Sequence, residues 1–215
     1  YRTLLARELG EITELMLESV QALPLTIRAP VRALITGGGK RLRPALVILT
    51  SAIYGADVGS AQYVAAAVEM LHTATLIHDD LIDGAATRRG QNTINQQLPS
   101  AATVLTGDAV FAVAARLAAS TENPRLVRRF AETLETICVG EISQMFRDKT
   151  RPPSIETYYN RIFAKTASLF ALCTESGAIL AQCDPEQIRR SQNLGKLIGE
   201  AFQIADDVLD IVGDE

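Results

Sequence analysis

The sequence predicts an all-α protein, and three observations support this prediction. Apolar residues recur at helical spacing along most of the 215 residues, the alternation typical of half-buried strands is essentially absent, and no internal repeat or low-complexity linker interrupts the chain. Apolar residues make up 47% of the sequence and charged residues 21%, which is ordinary for a folded domain. A chain of this length can bury one extensive core, so we expect a single domain over residues 1–215.

The helical pattern divides the chain into elements with short connections. The first helix carries Leu5, Leu9, Ile12 and Met16 on one face and ends before Pro24. The segment 61–83 is apolar around most of its circumference and should lie at the centre of the fold. Residues 84–100 are polar and predict a loop. The remaining predicted helices span residues 44–54, 101–120, 124–147, 155–183, 185–197 and 198–212.

Charge and cysteine content limit the environment of the chain. The net charge of −4 gives no reason to expect a nucleic-acid partner. The three cysteines show no CxxC spacing, which favours reduced thiols and a cytoplasmic location. Asp108 and Arg116 interrupt the most apolar stretch, 101–119, so we expect no membrane span. The chain begins at Tyr1 and stops soon after a helical motif, which indicates a piece of a longer protein.

Two aspartate clusters with the same spacing are the main chemical signal. Each has the pattern Asp-Asp-x-x-Asp, and positions i, i+1 and i+4 of a helix lie within about 100° of one another. Like charges so close repel, and a hard cation such as Mg²⁺ reverses the sign of that interaction. A solvated acidic face is the alternative, but apolar residues flank both clusters and favour a functional role. The clusters are Asp79, Asp80 and Asp83, and Asp206, Asp207 and Asp210.

Basic residues offer complementary binding groups for phosphate. Gly-Gly-Gly-Lys-Arg-Leu-Arg-Pro at 37–44 places glycines ahead of cations and a helix start, a combination suited to anions but also found in ordinary basic turns. It departs from a Walker P-loop at Leu34 and Arg41. Too few histidines and cysteines are suitably spaced for a zinc site, so the implied chemistry is electrostatic. Further candidates are Arg88, Arg89, His72, Lys165, Thr166 and Gln203.

Six ordered motifs resemble the trans-type polyprenyl (isoprenyl) diphosphate synthases, medium- and long-chain members in particular. They are residues 38–44, 69–80, 88–90, 107–108, 165–167 and 202–210, so only the first thirty-odd residues fall outside the likeness. The resemblance implies a helical bundle of the isoprenoid synthase type, with mostly antiparallel helices around a central cavity. It also implies a homodimer. The family continues beyond the second cluster with a Gly-Lys-Pro-type loop and further helices, which are lacking here.

The resemblance implies a reaction and roles for the residues. An allylic diphosphate ionises with Mg²⁺ (or Mn²⁺) assistance, isopentenyl diphosphate attacks the carbocation, and loss of a proton gives a longer all-trans product. Direct metal ligands would be Asp79, Asp83 and Asp206, supported by Asp80, Asp207 and Asp210. The allylic diphosphate would be held by Arg88, Lys165, Thr166 and Gln203, and isopentenyl diphosphate by Lys40, Arg43, His72 and Arg89.

Product length follows from the residues upstream of the first cluster. A tail running along helix 61–83 away from Asp79 would pass Thr75, Ala74 and Leu71, none of which is aromatic. In the family a bulky residue near this point stops elongation, so the product should exceed fifteen carbons. The pattern Gly-Glu-Ile-Ser-Gln at 140–144 also resembles medium- and long-chain members.

Three other functions remain open at this point. A terpene cyclase also ionises a prenyl diphosphate, but it needs no second diphosphate site and usually carries an Asn/Ser/Glu pattern at the second cluster. A non-catalytic subunit of a heteromeric synthase should have lost part of one cluster, and both clusters are intact. A helical scaffold with acidic faces would show no Mg²⁺-dependent ligand binding.

Overall fold

The computed structural model describes residues 1–88, 90–146, 152 and 154–213, and it confirms the all-α prediction. Within these residues the only strands are β1 (Thr87–Arg88) and β2 (Gln91–Asn92), an antiparallel pair with Thr87 opposite Asn92. A π-helical turn, Phe163–Ala167, joins two of the helices. The helices are α1 Ala6–Ser19, α2 Leu25–Thr36, α3 Leu42–Tyr54, α4 Val58–Ile82, α5 Ile94–Gln97, α6 Ser100–Ala119, α7 Pro124–Met145, α8 Ile155–Ile162, α9 Ser168–Leu180 and α10 Pro185–Val212.

The chain forms two compact units, of which the first combines Tyr1–Ile48 with Gln62–Glu122. Helix α4 supplies the largest share of its core, because small and branched apolar side chains occupy nearly every face of the helix. The fully buried residues of α4 include Ala65, Ala66, Val68, Leu71 and Ala74. The prediction that the long apolar helix is a central, buried element therefore holds within this unit. The prediction of a single domain over residues 1–215 stays a prediction.

The second unit combines Leu49–Ala61 with Asn123–Glu215, and α9 lies at its core. Every residue of α9 from Ser168 to Ile179 is buried. Helix α10 packs closely on it because glycines face the contact. A Cβ added at Gly195 would lie 2.7 Å from the Cα of Ala171, and one at Gly199 would lie 2.5 Å from the Cα of Ala167. The side chains of Asp184 and Gln187 form a capping box that fixes the start of α10.

Four parts of the helical pattern differ from the prediction. Helix α2 was not predicted, because Pro24, Pro30 and the glycines after it resemble helix breakers, yet burial of Val31 and Ile35 anchors it. The predicted helices 185–197 and 198–212 are one helix, α10. The predicted helix 155–183 is divided by the π-helical turn. The predicted loop 84–100 contains the β1–β2 hairpin and α5.

Helix α6 is long and apolar enough to cross a membrane by length and composition alone, with a mean hydropathy of 1.4. The central helix of a water-soluble protein can meet the same criterion. In this structure 44% of the apolar window is buried, and the buried side includes Thr103, Gly107, Val110 and Ala114. The expectation of no membrane span stays a prediction.

Candidate functional site

The first aspartate cluster lies at the end of α4, in the first unit. Asp79 and Asp80 belong to the last turn of the helix, whereas Asp83 follows its end. The Asp83 N–H still donates to the Asp79 carbonyl over 2.8 Å, so the helical spacing of the three residues is kept. Asp79 is half-buried, Asp80 is buried and Asp83 is exposed. The three carboxylates thus have different environments despite their shared motif.

Arg88 holds the buried carboxylate of this cluster. Its Nε donates to both oxygens of Asp80 over 2.9 and 3.1 Å, and its Nη2 donates to Oδ1 over 2.7 Å. The hairpin that carries Arg88 is tied to the end of α4, because Thr93 and Asn95 both donate to the Ala85 carbonyl. Arg88 was predicted to bind the allylic diphosphate, and that role stays a prediction. Arg89 lies outside the described residues.

His78, next to the cluster, packs against a glycine of α6. Its Nε2 lies 3.2 Å from the Val104 carbonyl and 3.4 Å from Oδ1 of Asp108. A Cβ at Gly107 would lie 2.6 Å from Cε1 of His78. The Gly-Asp pair at 107–108, noted as a motif, therefore provides space and a polar partner for the residue preceding Asp79.

The glycine-rich loop before α3 adopts left-handed backbone conformations. The φ angles are 86° at Gly38, 133° at Gly39 and 51° at Arg41. Arg41 is held by an ion pair of 2.7 Å with Glu69 of α4, and both side chains are largely buried. Glycine adopts such angles without strain, whereas an arginine needs other contacts to hold it there. The ion pair with Glu69 supplies such a contact and fixes the loop against α4.

A small cavity of about 20 Å³ in the first unit brings two of the predicted site residues together. Arg88 and His72 line it beside the loop and α4. Lys40 is exposed and Arg43 is half-buried, and neither is among the lining residues. The assignment of Lys40, Arg43 and His72 to isopentenyl diphosphate stays a prediction. The other lining residues are Ala33, Leu34, Gly37, Gly38, Arg41, Glu69, Thr73, Leu76 and Gln91.

The predicted chain-length residues occupy a different part of α4. Leu71 and Ala74 are fully buried, and Thr75 is half-buried with its hydroxyl donating to the His72 carbonyl over 2.8 Å. The predicted contact of these three side chains with the growing tail of the product stays a prediction.

The second aspartate cluster lies near the end of α10, in the second unit. Asp206 and Asp210 are exposed, and Asp207 is half-buried. The neighbouring apolar residues are exposed as well, with Leu209 at 61% and Ile211 at 83%. Apolar flanks favoured a functional role over a merely solvated acidic face; the flanks of this cluster are themselves mostly exposed, and the functional role stays a prediction.

Asp207 is held by several donors. Tyr158 Oη donates to Oδ2 over 2.8 Å, and Gln203 Nε2 donates to Oδ1 over 2.8 Å. Arg161 Nη2 lies 3.4 Å from Oδ2. The hydrogen bond to Asp207 raises the pKa of Tyr158. Sequence reasoning missed Tyr158 and Arg161, because neither belongs to one of the six motifs and the π-helical turn that follows them was not predicted.

Lys165 and Thr166 lie in the π-helical turn, a type of helical irregularity often found at functional sites. Thr166 Oγ1 donates to Gln203 Oε1 over 2.6 Å, and Lys165 Nζ forms an ion pair of 2.9 Å with Glu141. A cavity of about 140 Å³ collects the predicted Lys165, Gln203 and Asp207. Its further lining residues are Gln144, Arg161 and Ile162.

The donor set fits magnesium, although no three acidic, histidine or cysteine side chains among the described residues are grouped closely enough to form a complete metal cage. Mg²⁺ typically takes one or two protein carboxylates and completes its shell with water and substrate phosphate. Asp79 with Asp83, and Asp206 with Asp210, each offer such a pair at i and i+4. The metal assignments of Asp79, Asp83 and Asp206 stay predictions.

The sequence pattern of one family matches nearly the whole chain. Residues 24–215 match the family described as polyprenyl synthetase. Octaprenyl diphosphate synthase of Escherichia coli strain K12 is 33% identical over 211 residues, 98% of this chain and 65% of the relative. Heptaprenyl diphosphate synthase component 2 of Geobacillus stearothermophilus is 36% identical over 212 residues, 98% of this chain and 66% of the relative.

Solved structures agree with the sequence matches. A polyprenyl synthase from Caulobacter crescentus CB15, crystallised with calcium and isoprenyl diphosphate, is 37% identical, with a TM-score of 0.94 over 99% of this chain and 65% of that one. A decaprenyl diphosphate synthase from Rhodobacter capsulatus is 34% identical, with a TM-score of 0.93 over 99% of this chain and 66% of that one. The chain thus spans about 65% of the length of its first curated relative. It belongs to the polyprenyl synthetase family.

Proposed function

We propose that the protein is a trans-prenyltransferase that condenses an allylic diphosphate with isopentenyl diphosphate. One observation carries the proposal furthest. In each aspartate cluster a protein donor takes up the second carboxylate, Arg88 at Asp80 and Tyr158 at Asp207, while the last carboxylate is exposed. Each helix end with this arrangement suits the binding of a metal-bound diphosphate better than a merely solvated acidic surface does.

The surrounding residues support diphosphate transfer. Lys165, Thr166 and Gln203 would hold the allylic diphosphate as its C–O bond breaks, and their convergence near Asp207 supports this role. His72, Lys40 and Arg43 would hold isopentenyl diphosphate, whose double bond attacks the allylic carbocation. A proton is then lost and the product is longer by one isoprene unit. Magnesium, when bound, supplies positive charge for the departing diphosphate. Manganese is the alternative ion.

The relatives support a long product. Three of the four proteins compared above are named for octaprenyl, heptaprenyl and decaprenyl diphosphates. The small side chains at Ala74 and Thr75 agree with a product of more than fifteen carbons. We further propose that the full-length protein is a cytoplasmic homodimer, which sedimentation of the purified protein and fractionation of the source cells would test.

Product analysis tests this function. Full-length protein is incubated with Mg²⁺, labelled isopentenyl diphosphate and allylic diphosphates of increasing length, and the extracted products are sized. We expect linear products that require both substrates and the metal. Asp79→Ala and Asp206→Ala should each reduce the rate at least about a hundredfold, a loss typical of removing a group that stabilises the transition state. Glu18→Gln, which alters an exposed carboxylate on α1, should leave the rate unchanged.

Two results would overturn the proposal. A folded protein that makes no product with any allylic starter is not a synthase. A cyclised product formed without isopentenyl diphosphate identifies a terpene cyclase instead.

A further inference from the structure

We propose that Tyr158 is a positioning residue for the second aspartate cluster. Its hydroxyl fixes the carboxylate of Asp207 and thereby orients Gln203 and Thr166 towards the allylic diphosphate. The inference rests on the proposed function, and it assigns a role to a residue of α8 that belongs to neither aspartate cluster nor to the Lys-Thr pair.

The first step is the fixation of Asp207. Its side chain is 28% exposed, so in isolation the carboxylate could rotate. Tyr158 donates to Oδ2 and Gln203 donates to Oδ1, each over 2.8 Å. Because the two donors reach different oxygens from different helices, the plane of the carboxylate is determined.

The second step passes from Asp207 to the substrate-binding residues. The side-chain amide of Gln203 has one nitrogen and one oxygen, and its nitrogen is committed to Asp207. Its oxygen is therefore directed at Thr166, whose hydroxyl donates to it over 2.6 Å. One chain of hydrogen bonds thus runs from Tyr158 through Asp207 and Gln203 to Thr166, beside Lys165.

Arg161 acts differently from Tyr158. Its Nη2 lies 3.4 Å from Asp207, and the side chain is 46% exposed, so this ion pair contributes little to fixing the carboxylate. The guanidinium lies 5.2 Å from the centre of the Tyr158 ring and helps to hold that ring.

Tyrosine also differs from the cation that serves Asp80. A phenol orients a carboxylate without adding positive charge, whereas Arg88 neutralises Asp80. The second cluster is thus ordered by Tyr158 while its negative charge remains available to a metal-bound diphosphate.

Tyr158→Phe tests the proposal, with Tyr159→Phe as its matched control. Tyr159 is the next residue, its ring contacts Tyr158 edge-on, and it is 44% exposed. In full-length protein, Tyr158→Phe should raise the KM for the allylic diphosphate and the Mg²⁺ concentration for half-maximal rate about tenfold, the effect expected for loss of one hydrogen bond to a charged group. The KM for isopentenyl diphosphate should not change, and Tyr159→Phe should behave as wild type.

Two further measurements separate positioning from general stability and from failure of the proposed function. Calorimetric titration with inorganic diphosphate and Mg²⁺ reports the same weakening for Tyr158→Phe without requiring turnover. Adding Tyr158→Phe to Asp207→Asn should then cause little further loss, because Tyr158 acts through Asp207.

Each contrary outcome has a definite meaning. Wild-type affinity in Tyr158→Phe overturns the inference, and so does an undiminished effect in the Asp207→Asn background. Equal changes in both KM values also overturn it, since they indicate a general structural role. An absence of product from wild-type protein overturns the proposed function instead, and the diphosphate titration still tests Tyr158.

Discussion

The guanidinium of Arg88 donates to both carboxylate oxygens of Asp80, with its shortest hydrogen bond at 2.7 Å. The Asp80 side chain is only 3% exposed and that of Arg88 is 31% exposed. A buried carboxylate depends on such a partner because it has lost its hydration. Arg88 therefore stabilises the end of α4, whatever further contact it makes with a ligand.

Replacing Arg88 by alanine should be more damaging to stability than neutralising Asp80. Arg88→Ala leaves a buried charge unpaired and should lower the free energy of unfolding by about 3 kcal/mol. Asp80→Asn should lower it less, because the amide oxygen still accepts a hydrogen bond. Chemical denaturation without metal measures both, and Asp83→Asn, at an exposed position, is the control. Equal stability of Arg88→Ala and wild type would contradict the prediction.

Gly107→Ala should destabilise the first unit. The added methyl group would lie 2.6 Å from Cε1 of His78, so the ring must move, and overpacking of this kind costs about 1–3 kcal/mol. Gly10→Ala is the opposite control, because nothing lies within 4 Å of its Cβ and alanine favours the helix. In thermal melts, the Tm of Gly107→Ala should be lower than that of wild type and the Tm of Gly10→Ala should be higher. An unchanged Tm for Gly107→Ala would contradict the prediction, because it would mean that the His78 ring can move aside without loss of stability.

The stabilising effect of Asp57 should disappear in acid. Its Oδ2 accepts the Ser60 N–H over 2.7 Å at the start of α4. The backbone and then the side chain of Ser60 lower the pKa of Asp57. A lowered folded-state pKa gives stability that is present above the unfolded value, about 4, and is lost as pH falls through the folded value.

Melting wild type and Asp57→Ala across pH measures this effect. The difference in Tm should be full at neutral pH and should narrow as pH falls below about 4. Glu18→Gln, which alters an exposed carboxylate, controls for general acid effects. A difference in Tm that stays constant across this range would contradict the prediction, because the effect would then not depend on the charge of Asp57.

Thr75→Phe should shorten the product. Thr75 is half-buried one turn before Asp79, and a phenyl ring there would occupy the proposed path of the tail. Val58→Phe places the same ring at a residue of α4 that is 64% exposed and should leave the product unchanged. Chromatography of the labelled products compares them. An unchanged product from an active Thr75→Phe enzyme would place the tail elsewhere.

The features best predicted from the sequence were those that depend on residue spacing within a single helix. Helix α4 could be predicted because its apolar residues cover nearly every face, and only its ends moved, from 61–83 to Val58–Ile82. The predicted bounds 61–83 and 198–212 placed each aspartate cluster near the end of a helix, as the structure has it. The continuity of α10 could not be predicted, because Gly195 and Gly199 weaken a helix in isolation and are tolerated here only through close packing on α9.

Side-chain partners were the least predictable part of the site. The two clusters have the same spacing, yet Asp80 pairs with a strand arginine and Asp207 with a helix tyrosine. That choice depends on which element the folded chain brings near each carboxylate. Tyr158 belongs to none of the sequence motifs, so its role becomes visible only in the folded structure.

The π-helical turn Phe163–Ala167 holds one residue more than a regular helical turn does. This extra residue determines which side of α8 faces the second cluster. Removing a single residue there, such as Ala164, would restore a regular helix and rotate α8 by about 100° relative to α9. The buried side chains of α9 could remain in place while Tyr158 and Arg161 turned away from Asp207. A one-residue insertion or deletion in this segment should therefore disturb the second cluster more than most substitutions do. In alignments of family sequences, a gap in this segment should be read as a change at the second cluster.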